Sequence, residues 1–160
     1  MFTRIQWRIA ASYVGLIGLV LLALGVYLVS FLQAQQLRAL EDQLTRQARL
    51  VAADAQHRLE TDGPASLAPL AGQLGQQAGA RVTLIAADGR VLGDSDSDPA
   101  TMDNHGARPE VLQALQRGSG ESQRHSATLE QDLLYVAVPM EREGLILGVA
   151  RVALPVGPCR

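Results

Sequence analysis

The chain begins with a long apolar segment that contains no charged residue. Between Arg8 and Arg38 every position is uncharged, and Ile9–Leu32 is predominantly apolar over 24 residues. At about 1.5 Å per residue, a helix of this length extends roughly 36 Å, enough to cross a hydrocarbon core of about 30 Å. Backbone groups in lipid must be paired within their own segment. The pattern therefore predicts a transmembrane helix at residues 9–32.

Charges flank this helix unequally. Arg4 and Arg8 precede it, whereas the acidic Glu41 and Asp42 follow it closely. The positive-inside rule therefore predicts a cytoplasmic N-terminus at residues 1–8 and places the rest of the chain outside the membrane. The alternative is a cleaved signal peptide. We disfavour it because the apolar run exceeds the usual 7–15 residues and "SFLQAQQ" is a poor cleavage site.

After the membrane segment, apolar residues recur at intervals of three or four positions. They are Leu37, Leu40, Leu44, Ala48, Val51, Ala55 and Leu59. This spacing predicts a stalk helix over residues 33–60 that continues from the membrane helix without a break. We expect Leu37, Leu40 and Leu44 to form the seam of a homodimer, and Val51 to Leu59 to pack on the sheet of the same subunit. The alternative is that the whole stripe packs on that sheet.

Residues 61–156 alternate turn signals with short helical and strand patterns. The segment "TDGP" ends the stalk, and a second helix carries apolar residues on one face, at Leu67, Leu70 and Leu74. Gly79 is expected to end that helix. A further short helix is predicted to begin near Pro109 and to end at Gly118.

Five strands are predicted in the same region, the first two joined by a turn at Asp88-Gly89. Their expected ranges are 82–86, 90–94, 121–127, 133–140 and 145–154. The strand at 133–140 is apolar on both faces, so we expect both of its faces to be covered. In this order of elements, the helices are segregated from an antiparallel sheet of five strands. The order therefore predicts an α+β domain.

Composition narrows the functional classes. The formal net charge is −2, which gives no electrostatic case for nucleic-acid binding. Cys159 is the only cysteine, so no disulfide can form within the chain. The strand pattern "RVALPV" runs directly into the last residues, 157–160. We interpret these residues as a truncated tail and the chain as a fragment of a longer protein.

The order of elements and several short motifs resemble a known family. The motifs are "DGRVLGDSD", "NHGARPEV", "ALQRGSGES", "RHSATL" and "LLYVAVPM". In this order they resemble the PAS-like, single-Cache type of extracytoplasmic sensor domain, and in particular the sensor region of PhoR-type (phosphate-regulon-like) histidine kinases. The resemblance covers residues 1–156. It implies a PAS-like five-stranded sheet flanked by helices, in the periplasmic or extracellular part of a protein of the bacterial inner membrane.

The resemblance also implies parts that this sequence does not contain. Such kinases continue into a second membrane helix, a HAMP linker, a dimerisation helix with the phosphorylated histidine, and an ATP-binding domain. The chain has no second long apolar run, no His-Glu-Leu motif and no glycine-rich nucleotide box, and its histidines, His57, His105 and His125, stand in other contexts. We therefore expect no catalysis by this chain. ATP and Mg²⁺ would bind only to the kinase module, which would phosphorylate a response regulator in the cytoplasm.

Two other functions remain open from the sequence. The chain would also suit a stand-alone, membrane-tethered module that binds a ligand or a partner protein. It would also suit the sensor part of a chemoreceptor or of a cyclic-dinucleotide enzyme. The coding sequence beyond Arg160 distinguishes these cases, because each has a different output module. The signal itself stays open among phosphate, other small ligands, cations, envelope stress and partner proteins.

Three aspartates after the first hairpin form a candidate metal site. Asp94, Asp96 and Asp98 resemble the start of a calcium loop, but Pro99 and His105 stand where an EF-hand needs glycine and glutamate. The EF-hand is therefore rejected, and looser binding of a divalent cation remains as a hypothesis. The alternative is a solvated loop in which these side chains cap turns.

A second candidate site would bind a small anion. In PAS-like domains the pocket lies between the sheet and the loop and helix that precede its last strands, which would bring His105, Arg108 and Arg124 together. Arginine suits a carboxylate or phosphate because its guanidinium donates two parallel hydrogen bonds. In the alternative, Arg108 caps the loop and Arg124 pairs with Glu121 or Glu130. His105 is also a candidate pH sensor, since its ordinary pKa is near 6.5.

Tyr135 is the aromatic residue of the central hairpin. It is a candidate for the same ligand pocket, although we favour a core position for it. A hydrolase site is not supported, because Ser126 directly follows His125 and neighbouring strand residues point to opposite faces.

Overall fold

The computed structural model describes the backbone of residues 2–126 and 131–156. Side chains in these ranges are described except at 2–6, 8–12, 33, 34, 36, 37, 126 and 131. The predicted strand end at Ala127, the candidate partner Glu130 and the tail at 157–160 lie outside the described residues, as does the side chain of Leu37. The chain divides into two compact units, Met1–Leu40 and Glu41–Arg160.

The first helix, α1, is continuous from Phe2 to Asp62. Its segment Tyr13–Leu32 is long and apolar enough to cross a membrane by length and composition, and the side chains of this segment are exposed. The segment lies within the predicted membrane helix, Ile9–Leu32. Helix α1 runs unbroken through the predicted membrane segment and the predicted stalk, and residues 26–62 contain no proline or glycine.

The part of α1 after Glu41 belongs to the second unit and buries its apolar stripe there. The buried side chains are Leu44, Ala48, Val51, Ala52 and Ala55. Leu44 was predicted to lie in a dimer seam, and this prediction is wrong because its side chain is already 0% exposed within its own subunit. Leu40, one turn earlier, is only half-buried.

Helix α2 (Leu67–Ala78) follows a 3₁₀ turn at Pro64–Ser66. It ends at Gly79, whose φ of 60° places it in the left-handed region that favours glycine. Leu67 and Leu70 are buried, as the apolar spacing predicts, whereas Leu74 is half-buried. Helix α2 packs against the first two strands of the sheet.

The sheet has five antiparallel strands in the order β2-β1-β5-β4-β3. Their bounds are β1 Arg81–Ala86, β2 Val91–Asp94, β3 Gly120–Ser126, β4 Gln131–Arg142 and β5 Leu145–Val156. The predicted α+β class and strand number are therefore confirmed. Strands β4 and β5 are longer than predicted because they pair along almost their whole length. Glu143 and Gly144 form the turn between them, with φ values of 50° and 82°.

Helix α3 spans Pro109–Arg117 and ends at Gly118, as predicted. It packs on the last three strands. A small apolar cluster forms this contact, made of Ile85, Val111, Ala114, Ala137 and Val149. Strand β4 is buried on both faces from Leu133 to Val138, which confirms that it is covered on both sides. The sheet face beneath α3 carries polar side chains as well as apolar ones.

Candidate functional site

The sheet face beneath α3 carries a connected group of charged and polar side chains. Strand register brings its centre together, because Thr83 on β1 is paired with Asp94 on β2 and with Arg151 on β5. Arg151 Nη2 donates to Thr83 Oγ1 at 3.0 Å, and Thr83 Oγ1 donates to Asp94 Oδ2 at 2.7 Å. Arg81 Nε donates to both oxygens of Asp94, at 3.2 and 3.3 Å. All of these contacts lie within a single sheet face.

Glu110 extends this group to the opposite edge of the sheet. It lies in the first turn of α3, directly after Pro109, and its side chain is completely buried. Glu110 Oε1 accepts from Arg124 Nη2 at 2.7 Å and from Arg151 Nη1 at 3.3 Å. We call the connected residues the arginine network. Its members are Arg81, Thr83, Asp94, Glu110, Arg124 and Arg151.

Tyr135 contacts the network through its ring. The guanidinium carbon of Arg124 lies 4.3 Å from the ring centroid, and that of Arg151 lies 5.2 Å away. Both distances fall within the range of cation–π interactions. Tyr135 is 8% exposed, so it is largely a core residue, as we favoured, but one that holds two cations in place.

The network has more cations than anions. Three arginines face two carboxylates, which leaves one net positive charge. Burial lowers the pKa of Arg151, and the adjacent Glu110 carboxylate opposes this shift. An arginine remains charged at neutral pH even so, because the guanidinium group is a very strong base. The site is therefore suited to an additional anion.

Three buried polar atoms of the network have no hydrogen-bond partner among the described residues. They are Glu110 Oε2, Arg124 Nε and Arg151 Nε. Buried polar groups in folded proteins are almost always paired with protein, water or ligand. Arg124 is the accessible member, since its side chain is 28% exposed whereas those of Arg151 and Glu110 are 4% and 0% exposed. A ligand entering from solvent therefore meets Arg124 first.

The structure brings the predicted anion-site residues together only in part. Arg124 and Tyr135 contact each other, as described above, and Arg124 pairs with Glu110 rather than with Glu121. Arg108 occupies the N-cap position of α3, where its side chain makes no capping hydrogen bond. The positive charge of Arg108 lowers the pKa of His105. No contact between Arg108 and Arg124 occurs among the described interactions.

His105 is buried beside the network. Its Nδ1 lies 2.7 Å from the carbonyl oxygen of Asp103, and its backbone N–H donates to the carbonyl of Gly89. Burial lowers the pKa of His105, and the Arg151 cation lowers it further, against the hydrogen bond to Asp103. The imidazole is therefore neutral at pH 7, with Nδ1 as the donor to that carbonyl.

The three aspartates of the candidate metal site have separate partners. Asp94 belongs to the network and also accepts from the backbone N–H groups of Asp96 and Ser97. Asp96 accepts from the Ser95 hydroxyl at 2.6 Å, and Asp98 caps the short helix that begins at Pro99. No cluster of three or more metal-ligating side chains occurs within residues 2–126 and 131–156 that the structure describes. The three carboxylates therefore do not converge on one point, and the turn-capping alternative describes Asp94 and Asp98.

A cavity of about 320 Å³ opens at the end of the same sheet face, where β1 begins. Its floor is apolar and consists of Leu133, Ala153 and Pro155, next to Tyr135. One wall is formed by helix α2 and the glycine that ends it. The wall residues there are Gly72, Gly75, Gln76, Gly79 and Ala80.

The opposite wall of this glycine-walled cavity is polar. It consists of Arg81, Ser95 and Asp96. Arg81 is thus shared between the cavity and the arginine network, and it places the two beside each other on the sheet. The volume lies at the lower end of the range of about 300–1,000 Å³ that is usual for small-molecule pockets.

Sequence reasoning did not identify Glu110, Arg151, Thr83 or Arg81 as site residues. Arg151 had a detectable signal, because it is a charged residue in the middle of the apolar strand "LILGVARVALP". A buried charge is costly unless it is paired, so such a residue indicates a partner elsewhere. Glu110 had no such signal, since an acidic residue in the first turn of a helix is ordinary.

Comparison with known proteins identifies related domains. A family model described as Single Cache-like matches residues 34–155. No curated protein matches the chain. Among solved structures, the ligand-binding domain of the Campylobacter jejuni chemoreceptor Tlp3, in complex with 4-methylisoleucine, is 18% identical with a TM-score of 0.62. That alignment covers 76% of this chain and 53% of the Tlp3 chain.

Two further solved structures have the same fold. The sensor domain of the V. cholerae histidine kinase DctB is 18% identical with a TM-score of 0.60, over 76% of this chain and 51% of that chain. The ligand-binding domain of the Pseudomonas fluorescens chemoreceptor CtaA, in complex with L-alanine, is 21% identical with a TM-score of 0.56. That alignment covers 72% of this chain and 53% of CtaA. The chain thus spans about half the length of each of these domains.

Proposed function

Because the chain belongs to the single Cache-like family, we propose that it is a membrane-anchored extracytoplasmic sensor that binds a small anion. The observation that carries this proposal is the arginine network, with its net positive charge and its unpaired buried atoms Glu110 Oε2, Arg124 Nε and Arg151 Nε. A carboxylate at the exposed part of Arg124 would balance the excess charge of the network.

The resemblance to receptor domains supports a small organic ligand. The Tlp3 and CtaA domains are described in complex with amino acids, which carry a carboxylate group. Those proteins are too distant to transfer a specific ligand to this chain. The ligand chemistry that we propose is therefore a carboxylate, and the experiment below compares short monocarboxylic acids and amino acids with inorganic phosphate, an anion that lacks the carboxylate.

Helix α1 would supply both the membrane anchor and the path along which the signal is relayed. We propose that Tyr13–Leu32 crosses the bacterial inner membrane, with residues 1–8 in the cytoplasm and the sensor domain outside. The same helix contributes Ala48, Val51 and Ala55 to the buried part of the sensor unit. A shift of this packing on ligand binding would therefore pass along one uninterrupted helix.

The output is proposed to be a histidine kinase module that follows in the parent protein. The fold similarity to the DctB sensor domain and the motif resemblance to PhoR-type kinases support this output. ATP and Mg²⁺ would act in that module, and a response regulator would receive the phosphate. The fold similarity to the chemoreceptors Tlp3 and CtaA makes a chemoreceptor the second candidate.

The sensor is proposed to act as a homodimer through the membrane-proximal stalk. Leu44 is enclosed in its own subunit, so we propose a seam that includes the half-buried Leu40. Leu37 stays a predicted seam residue, and its side chain lies outside the described residues. Sedimentation of the full chain in detergent would test this proposal, and a strict monomer at micromolar concentration would contradict it.

A chimera tests the proposed relay. The chain is joined after Val156 to the second membrane helix and kinase module of a characterised histidine kinase. Transfer of phosphate from ATP to the response regulator is then measured in membrane vesicles. Short carboxylates, amino acids and phosphate are added in turn, to the unchanged chimera and to variants with Arg124→Gln or Arg90→Gln.

We expect at least one carboxylate to change the transfer rate in the unchanged chimera and in the Arg90→Gln control, whose exposed side chain lies outside the network. The Arg124→Gln chimera should lose this response. A transfer rate that no added anion changes in any of the three proteins would contradict the proposal.

A further inference from the structure

The glycine-walled cavity has chemistry that differs from that of the arginine network. We propose that it binds a small organic cation, an ammonium group on a short apolar chain, independently of the anion at Arg124. The argument rests on the space that Gly72 leaves open, on the charge of the polar wall and on the apolar floor.

The helical wall keeps open a space that the protein itself does not fill. Gly72 lies in the interior of α2, where glycine weakens a helix. A Cβ added at Gly72 would meet no atom within 4 Å, so no packing requirement within the protein explains this glycine. Gly75, by contrast, needs to be glycine because an added Cβ would collide with the side chain of Ser95. Gly72 therefore leaves room for a molecule that lies directly against the helix backbone.

The charge of the polar wall favours a cation. Arg81 is already neutralised by Asp94, whose side chain is completely buried and lies 3.1 Å away. Asp96 is exposed, and its only described side-chain partner is the uncharged hydroxyl of Ser95. No ion pair of Asp96 occurs within the residues that the structure describes. The anionic charge of Asp96 therefore remains available to a ligand.

Helix α2 adds to this preference. The cavity wall includes Gln76 and Gly79, at the C-terminal end of α2. The last carbonyl groups of a helix have no partners within it and carry partial negative charge, which favours cations there. Both walls thus attract an ammonium group towards the same end of the cavity.

The floor and the volume define the rest of the ligand. Leu133, Ala153 and Pro155 offer an apolar surface, which suits an alkyl chain rather than a second charged group. A chain of about four carbons with a terminal ammonium lies well within the cavity volume of about 320 Å³.

Calorimetric titration of the full chain in detergent micelles tests the proposal. The probes are n-butylammonium, n-butanol and n-butyrate, which share the alkyl chain and differ in charge, and the heat of mixing with empty micelles is subtracted. The variants are Gly72→Leu, which fills the cavity, and Asp96→Asn, which removes the charge but keeps an acceptor for Ser95. Asp98→Asn is the matched control, because Asp98 is exposed and lies outside the cavity wall.

We expect n-butylammonium to bind the unchanged chain and the Asp98→Asn variant, and to bind more weakly as salt concentration rises. Asp96→Asn should weaken binding about tenfold, as the loss of a charge-assisted hydrogen bond does, and Gly72→Leu should abolish it. The melting temperature of each variant establishes that it is folded. If Gly72→Leu does not fold, Asp96→Asn alone decides the outcome.

The proposal is overturned if n-butylammonium gives no saturable heat at about 10 mM, where even a Kd of about 1 mM would nearly saturate the site. It is also overturned if Asp96→Asn and Gly72→Leu bind this probe as well as the unchanged chain does. Binding of n-butyrate that depends on Arg124 but not on Gly72 belongs to the proposed anion site. The two sites can therefore fail or succeed separately.

Discussion

Replacement of Glu110 by glutamine tests whether the arginine network holds the sensor domain together. Glu110 is completely buried and accepts from Arg124 and Arg151 through the same oxygen. Glutamine has the same shape and retains one acceptor oxygen, but it removes the negative charge between two cations. Arg151, whose side chain is 4% exposed, would then remain buried without an ionic partner on α3.

The expected loss of stability is large for a single isosteric change. Removing one partner of a buried ion pair costs about 3–5 kcal/mol, because the remaining charge stays desolvated. Glu110→Gln should lie near 3 kcal/mol, since glutamine still accepts one hydrogen bond and Arg151 keeps its contact with Thr83. Glu121→Gln is the matched control. Glu121 is exposed on β3, so its replacement should change stability by less than about 0.5 kcal/mol.

Hydrogen exchange of the β5 amides measures this loss without interference from the apolar segment Tyr13–Leu32. Strand β5 lies at the centre of the sheet, so its slowest amides exchange only when the domain opens. A loss of about 3 kcal/mol increases the population of the open state, and so the exchange rate, by about 100-fold.

An exchange rate for Glu110→Gln within a few-fold of that of Glu121→Gln would refute this reasoning. A double replacement, Glu110→Leu with Arg151→Met, adds a second criterion. Because it removes both buried charges, the double variant should be more stable than the sum of the two single losses predicts.

Three further predictions concern stability and assembly. Gly72→Ala should raise the free energy of unfolding by about 0.5–1 kcal/mol in thermal melts, because alanine is the better helix former and its Cβ meets open space. Gly75→Ala should lower it, because of the collision with Ser95. Since the pKa of His105 is lowered in the folded state, the unfolded chain binds the extra proton first, and the melting temperature should fall as pH decreases below about 6.5. The His105→Gln variant should lack that part of the pH dependence. Leu40→Glu should convert the proposed dimer to a monomer in sedimentation, and an unchanged dimer would contradict the proposed seam.

Sequence pattern predicted the elements of this fold because local signals specify them. Pro109 and Gly118 bracket α3 as expected, and Glu143 and Gly144 form the turn between the two long apolar strands β4 and β5. The short helix at Pro99–Thr101 was missed, since three residues within a polar loop carry no periodicity. The position of β5 at the centre of the sheet was likewise not predictable from local pattern, because it depends on pairing between strands that are far apart in sequence.

The candidate site was harder to predict for a related reason. Arg124 and Tyr135 were identified. Glu110, which pairs with Arg124, and Arg151, which shares the Glu110 carboxylate, are 14 and 27 residues away from Arg124 in the chain. Only the fold brings them together. Leu44 shows a second limit of sequence-based prediction. Its helical spacing is the same whether its side chain faces a second subunit or its own domain, and here it is buried in its own domain.

The central claim is that the arginine network binds a small carboxylate. The most direct test is calorimetric titration of the full chain with short monocarboxylic acids and with their uncharged amides. We expect at least one acid to bind and its amide not to bind. Arg124→Gln should weaken binding of that acid by about tenfold or more, as loss of a charge-assisted hydrogen bond does, whereas Arg90→Gln should leave it unchanged. Equal affinity of acid and amide, or equal affinity of the Arg124→Gln variant and the unchanged chain, would contradict the account.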